Sequence, residues 1–408
     1  MSAVVTDPRV QATIEAIGRY VQDELLPFEK QHGITWEGQP AKALLKQVWQ
    51  RSAELGFYGL MLPVEQGGAG FSAEQMCQIK MFVAGSGAVL AQHVLGELSG
   101  PPRIGYLFKA ATADQANRIL KPICEAKLAV CFALTEEQAG SDAGAIQTRA
   151  VREGDHYVLN GRKRFISGAP YADVAIVLAV TDPTQGTRGI SAFFVDMHDP
   201  GMRMVCDYVA MHGQASHGDL EMTDLKVPAA NLIGVEGAGF KLGIGRINFN
   251  RLLHCATVIG FADLALRLSV ERANKRNQFG RPIGQFQAIA HMLANMATDL
   301  QAARAMTLDA ARRLDAGDPL RMEASMCKLF VTEAAFRVAD QAVQVHGGTG
   351  LIRGNPVEWL FRMLRMMRIL TGTSEILRNT VAKELLEGAG TQPTPKARAP
   401  AAKAVHVA

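Results

Sequence analysis

The side chains in this sequence with both the chemistry and the spacing to handle protons are few, and they come in pairs one helical turn apart. His254 follows Asn250 by four residues, so a helix sets both on one face, and an imidazole there titrates near neutral pH and can take up a proton. His93 and Glu97 repeat the spacing; if that segment is helical, Glu97 supplies a carboxylate one turn beyond the ring. Both pairs also have a plainer reading as packed or solvent-facing side chains. The six cysteines, at 77, 124, 131, 206, 255 and 327, form no CxxC pair and no ligand spacing with neighbouring histidines. They read as reduced packing residues, and no metal is expected. Arg276 offers a planar fork of donors that suits phosphate, and the paired glycines Gly347 and Gly348 let backbone approach an anion closely. Arg276 also stands beside Lys275 and near Arg281, a run whose simpler reading is the solvated end of a helix.

Three textures along the chain must position these groups. From about residue 10 to 127 apolar residues recur at helical spacing, as in Ile14, Ile17 and Val21 and again in Leu44, Leu45 and Val48. Between about 128 and 230 the runs VAIVLAV (174–180), ISAFFVD (190–196) and DLEMTDLKV (219–227) are strand-like and bounded by turns. Asn160-Gly161 predicts a hairpin turn, because both central residues of that turn need positive φ. Helical spacing returns from about 236 to 387, with Ile259, Ala262, Leu266 and Val270 as one stripe and Ile376, Thr380, Val381, Glu384 and Leu385 as another. Thr373 is placed to cap the last helix.

The expected fold is therefore α+β, with an N-terminal helical domain (1–127), a middle β-sandwich or barrel (128–232) and a C-terminal helical bundle (233–388). A Pro-, Ala- and Lys-rich tail (389–408) is expected to be disordered. Without βαβ alternation, and with no GxGxxG after a strand, a parallel-sheet nucleotide domain is excluded. A net charge of +4 is small against 43 basic and 39 acidic residues, so nucleic acid and anionic membranes are not expected partners. The first residues lack a basic leader before an apolar run, and no stretch approaches the roughly 18 apolar residues of a spanning helix, which makes the cytoplasm the default compartment.

Five segments carry a resemblance: LTEEQAGSD (134–142), NGRKRFISG (160–168), RNQFGRPIGQFQAI (276–289), QVHGGTG (344–350) and ILTGTSEILR (369–378). In this order, and over nearly the whole chain, the sequence resembles the acyl-CoA dehydrogenase family. The resemblance implies FAD, with Phe132, Leu134, Thr135 and Ser141 against the flavin and Phe165 and Ser167 on its other side. It implies that Arg276, Gln278, Phe279, Gln344, Gly347 and Gly348 hold the pyrophosphate and adenosine across a subunit interface, with Thr373 and Glu375 at the diphosphate and ribose. A homodimer or homotetramer follows from that, and an electron-transfer flavoprotein is the family's frequent acceptor. The resemblance also implies that Arg251 approaches the CoA moiety of an acyl-CoA thioester, with Ser141 as a second substrate-binding residue. Desaturation in the family uses a glutamate base, and its two usual positions here are Thr371 and Asn250, neither of which is basic. Glu97, in a region that lines the family's acyl pocket, and His254 are the substitutes. The alternatives are an elimination without a base, a flavin- or acyl-CoA-binding subunit with little activity, and a flavin monooxygenase or oxidase.

Overall fold

Residues of the run 174–180 separate by parity, which tells how the middle of the molecule is layered. Ala175, Val177 and Ala179 enter one apolar cluster, with Tyr157, Phe193 and Leu225, while Ile176 and Leu178 enter a second, with Ile104, Leu120 and Phe194. Such period-two sorting belongs to a strand covered on both faces. The computed structural model describes residues 7–98 and 100–388; the tail expected at 389–408 lies outside the described residues.

Among the described residues the sheet has seven strands: β1 (Val130–Ala133), β2 (Arg149–Glu153), β3 (His156–Ser167), β4 (Val174–Val180), β5 (Ile190–Asp196), β6 (Met202–Tyr208) and β7 (His217–Pro228). Their order is β1-β4-β2-β3-β7-β6, with β5 paired to β4. The sheet is mixed: β1 runs parallel to β4, in register Val130 with Val174, whereas β5 is antiparallel to it. The expected helical, β, helical order is what the chain adopts, and the middle part is a single curled mixed sheet.

Helices flank the sheet in sequence on both sides. Before it come α1 (Pro8–Tyr20), α2 (Lys42–Glu54) and α3 (Ala73–Ala84); after it come α4 (Gly239–Lys275), the two-residue strands β8 (Asn277–Gln278) and β9 (Arg281–Pro282), α5 (Gln287–Asp315), α6 (Arg321–His346), α7 (Pro356–Met367) and α8 (Ser374–Gly388). One core joins both sets, with Met76, Ile79 and Val83 of α3 meeting Leu252, Ala256 and Ile259 of α4 and Val331 and Ala335 of α6. Helices α3 and α4 cross at close range: a Cβ on Gly260 would stand 2.4 Å from the Met81 carbonyl oxygen. The start of α3 is fixed by a capping box of Ser72 and Gln75, and the Asp315 carboxylate also accepts from Ala73 N at 2.7 Å.

Two expectations change. Helix α4 is long and apolar enough to cross a bilayer, contrary to the sequence reading; 67% of its most apolar window is buried inside the protein, as in the core helix of a globular domain. The Asn160-Gly161 hairpin does not form either. Both residues lie inside the continuous strand β3, where the register with β7 shifts between Leu159 and Gly161, a bulge that absorbs the positive φ the dipeptide favours. Asn160 uses its amide to bridge strands, accepting from Asp224 N at 2.9 Å and donating to the Asp224 carboxylate at 3.1 Å.

Gly161 has φ +151°, and a Cβ there would sit 2.5–2.8 Å from Thr148 atoms. Gly161→Ala is therefore expected to lower stability by about 2 kcal/mol, read as a fall in the urea midpoint. An unchanged midpoint would mean that the bulge is not this tight.

Candidate active site

Arg246, Asn250, His254 and Thr257 follow each other at helical spacing along α4 and share one face. Leu252, Leu253 and Cys255 beside them are buried in the helical core, so burial of the apolar side fixes the direction in which this polar face looks. Opposite it runs the segment between α7 and α8, whose conformation is unusual. Thr371 has φ +58° and Gly372 φ +98°; a β-branched residue in the left-handed region is strained and persists only where its surroundings hold it.

The hold is visible. Arg251 Nε donates to the Thr371 carbonyl at 3.3 Å and its Nη1 to Ser325 Oγ at 3.2 Å. Lys328 Nζ donates to the Gly372 carbonyl at 2.7 Å. The Thr371 hydroxyl lies 3.0 Å from His254 Nδ1. One expected base position, Thr371, thus meets His254, and the other, Asn250, stands one helical turn before that imidazole on the same face of α4; neither carries a carboxylate. Strain at Thr371 marks a place where the fold spends stability on geometry.

Glu97 reaches this region, but not in the way the sequence suggests. The helical turn of His93 is Ala91–Val94 and ends before Glu97, so the two do not stack along one helix. His93 instead accepts from Trp49 Nε1 at 3.0 Å through its Nδ1, and burial keeps it neutral by lowering its pKa to about 4. The Glu97 Oε1 is 2.6 Å from Lys80 Nζ, and its Oε2 accepts from the Thr257 hydroxyl at 3.1 Å. Both carboxylate oxygens are engaged. His254 is surrounded by positive charge: burial first, then Lys80, Lys328, Arg246 and Arg103, lower its pKa to about 3. In the free protein it is a neutral ring and a weak base.

The expected cofactor wall stands at the ends of β1 and β3. Arg164 N donates to the Thr135 carbonyl at 2.7 Å, which sets Thr135 beside Phe165. Phe165 has φ +56° and an exposed ring that rests 5.0 Å from Tyr208. A buried pair, Lys163 with Glu136 at 2.7 Å, ties down the loop that carries Ser141, because Glu136 also accepts from Gln147 N at 2.6 Å and Thr148 N at 3.0 Å. Leu134 is buried, Phe132, Thr135 and Ser167 are half-buried, and Ser141 is exposed. Among the described residues the hydroxyls of Thr135, Ser141 and Ser167 have no protein hydrogen-bond partner. A flat ring system with polar edges fits this set of apolar faces and unused donors.

Arg276, Gln278 and Phe279 sit on the β8–β9 hairpin and are exposed, Phe279 almost fully. Gln344, Gly347 and Gly348 lie at the end of α6, also exposed, and Cβ atoms on the two glycines would meet open space. Arg272 links the two regions by donating to Thr349 Oγ1 at 3.4 Å. They form a second locus on the outer surface, where diphosphate and backbone donors can meet. Thr373 caps α8, accepting from Ile376 N at 3.3 Å, and Glu375 is exposed beside it.

Sequence reasoning passed over Lys80, Arg103, Arg246, Thr257, Ser325 and Lys328. Two signals were available: a lone lysine inside the apolar run MCQIKMFVA, and Arg246 four residues before Asn250 on the same face.

Known proteins resemble this chain in sequence and fold. Profiles of the acyl-CoA dehydrogenase N-terminal, middle and C-terminal domains match residues 7–127, 131–225 and 237–386. The 3-(aryl)acrylate reductase of Clostridium sporogenes is 37% identical over 84% of this chain and 90% of its own length. The CarC subunit of the caffeyl-CoA reductase–Etf complex of Acetobacterium woodii is 38% identical, with the same coverage. The solved butyryl-CoA dehydrogenase of Megasphaera elsdenii superposes with a TM-score of 0.85 at 29% identity, covering 95% of this chain and 100% of the other.

Burial has a consequence for stability. His93, His212 and His217 are lowered to about 4 and His254 to about 3, each mainly by desolvation, from an ordinary 6.5. The unfolded chain takes up protons at these groups near 6.5 and the fold does not, so stability is full above that pH and is lost as pH falls from 6.5 towards 4. Urea midpoints should decline steadily across that window and be flat from pH 7 to 8; a midpoint constant down to pH 4.5 would contradict the neutral state of these rings.

Proposed function

The chain belongs to the acyl-CoA dehydrogenase family, and on that premise we propose that it is an FAD-dependent oxidoreductase acting at the α,β bond of an acyl-CoA thioester. The observation that carries this reading is the contact of Thr371 with His254, one helical turn after Asn250, with Arg251 and Lys328 fixing the carbonyls behind it. Phe132, Leu134, Thr135, Ser141, Phe165 and Ser167 are the residues we assign to the flavin, and Arg276, Gln278, Phe279, Gln344, Gly347, Gly348, Thr373 and Glu375 to its diphosphate and adenosine. When bound, FAD supplies a two-electron carrier that takes or gives hydride.

The chain's own contribution is positioning and charge. Arg251 is half of the clasp on the Thr371 loop and, with Ser141, faces the thioester. The cations around His254 favour negative charge that develops on an acyl group at this wall. The outward-facing Arg276 and Gln344 segments suit a homodimer or homotetramer that completes each cofactor site. An electron-transferring flavoprotein is the partner we infer, since one relative is a subunit of a complex with such a protein. Six free cysteines, four of them buried, suit the reducing cytoplasm.

A second reading is favoured by one fact: neither expected base position holds a carboxylate. Elimination of a leaving group from an acyl-CoA needs no carboxylate at 371 or 250, and Thr371 and Asn250 would then position substrate.

Anaerobic absorbance titration of the flavin-loaded protein with a panel of acyl-CoA thioesters separates these. Bleaching of the oxidised band with an enoyl-CoA product by mass is the expected result. A spectral shift without bleaching would favour elimination or binding alone, and no spectral response to any thioester would overturn the proposal.

A further inference from the structure

Buried cations normally have anions beside them, because an unpaired charge taken out of water is heavily penalised. Around His254 the accounting fails. Lys80 is paired with Glu97, but Arg103 and Arg246, both half-buried, form no ion pair among the described residues. Arg103 closes the turn Pro101–Arg103 and donates from Nε to the Glu97 carbonyl at 3.2 Å; the nearby Glu97 carboxylate is already held by Lys80 and Thr257. Arg246 lies with its guanidinium 4.4 Å from the centre of the Phe132 ring, and its Nε is buried without a hydrogen-bond partner. Stacking fixes the plane of the fork and leaves its edge for a planar acceptor.

The two guanidinium groups sense each other and His254, and Arg246 senses Tyr106. Burial holds the Tyr106 phenol protonated, raising its pKa to about 12, so its hydroxyl remains a donor. Arginine does not relieve the strain of burial by losing its proton. Two charged forks and a phenol therefore lie near one another beside Phe132 and α4, and among the described residues no carboxylate is ion-paired with either fork.

We propose that this cluster receives a negatively charged end of the acyl group, so that the substrate is a CoA thioester whose acyl chain terminates in a carboxylate. The proposal rests on the acyl-CoA reading above and narrows it. The phosphates of CoA are not suited to the place, because the pantetheine arm separates them from the thioester, and the thioester belongs at the Thr371 wall. A neutral aliphatic chain would leave both arginines unpaired against methylene groups.

Affinities of the flavin-loaded protein for glutaryl-CoA and for pentanoyl-CoA, which has the same number of acyl carbons and no carboxylate, test this under anaerobic conditions through the ligand-induced change in flavin absorbance. Glutaryl-CoA should bind at least about tenfold more tightly, as one charge-assisted hydrogen-bonded pair implies. Arg103→Met and Arg246→Met should each remove most of that preference by weakening glutaryl-CoA. Arg246→Lys, which keeps the charge and is the milder change for the fold, should retain an intermediate preference. Equal affinities in the wild type, a preference that survives both methionine variants, or equal weakening of both ligands by Arg246→Met would overturn the proposal and leave the acyl-CoA reading standing. No spectral response to either thioester would remove both.

Discussion

Arg251 and Lys328 hold two successive carbonyls, of Thr371 and Gly372, against helix α4, and the rest of the site depends on that clasp. Two neighbouring residues in the left-handed region do not arise from local preference, least of all with a threonine first. They are kept by donors reaching from two different helices, α4 and α6. The same loop leads directly into α8, whose first residue, Ser374, donates to Glu333 of α6 at 2.7 Å. Its placement therefore couples three helices to the position of one hydroxyl. That hydroxyl is the group that meets His254.

Charge follows from the same arrangement. Holding backbone carbonyls with an arginine and a lysine brings two cations towards the polar face of α4, to which Lys80, Arg103 and Arg246 add three more. Burial lowers Lys328 to about 8, and together these groups keep His254 neutral. The carboxylates near these cations are occupied: Glu97 by Lys80 and Thr257, and Glu333 by Ser374 and Arg368. The environment is poor for a resting base and good for an anion, whether brought in by a ligand or formed on it. The sheet contributes differently: it presents aromatic faces and free hydroxyls along the ends of β1 and β3, where a flat cofactor needs walls more than charge.

Much of this was legible before any coordinates. The runs 174–180 and 190–196 are strands to the residue, since apolar runs of that length between turns leave little alternative. The shared face of Asn250 and His254 is readable from spacing along one helix, whereas Arg251 stands out only through the family resemblance. What failed depended on partners distant in sequence. Asn160-Gly161 looks like a turn locally, but pairing with β7 converts its positive φ into a bulge. Helical spacing would set Glu97 one turn beyond His93, yet its carboxylate is paired with Lys80, which no spacing rule connects to it. Arg103 and Arg246 lie 143 positions apart, and only the fold brings the two charges close enough to influence each other.

The central claim is that this pocket works without a carboxylate base, Glu97 being a structural counter-ion to Lys80. The most direct measurement is anaerobic bleaching of the flavin in Glu97→Gln by an acyl-CoA that bleaches the wild type, together with flavin content and the urea midpoint. The account predicts that bleaching persists while the midpoint falls, corresponding to a loss of stability on the order of 3 kcal/mol for a buried lysine left unpaired. Lost bleaching with full flavin content and an unchanged midpoint would identify Glu97 as the base and contradict it.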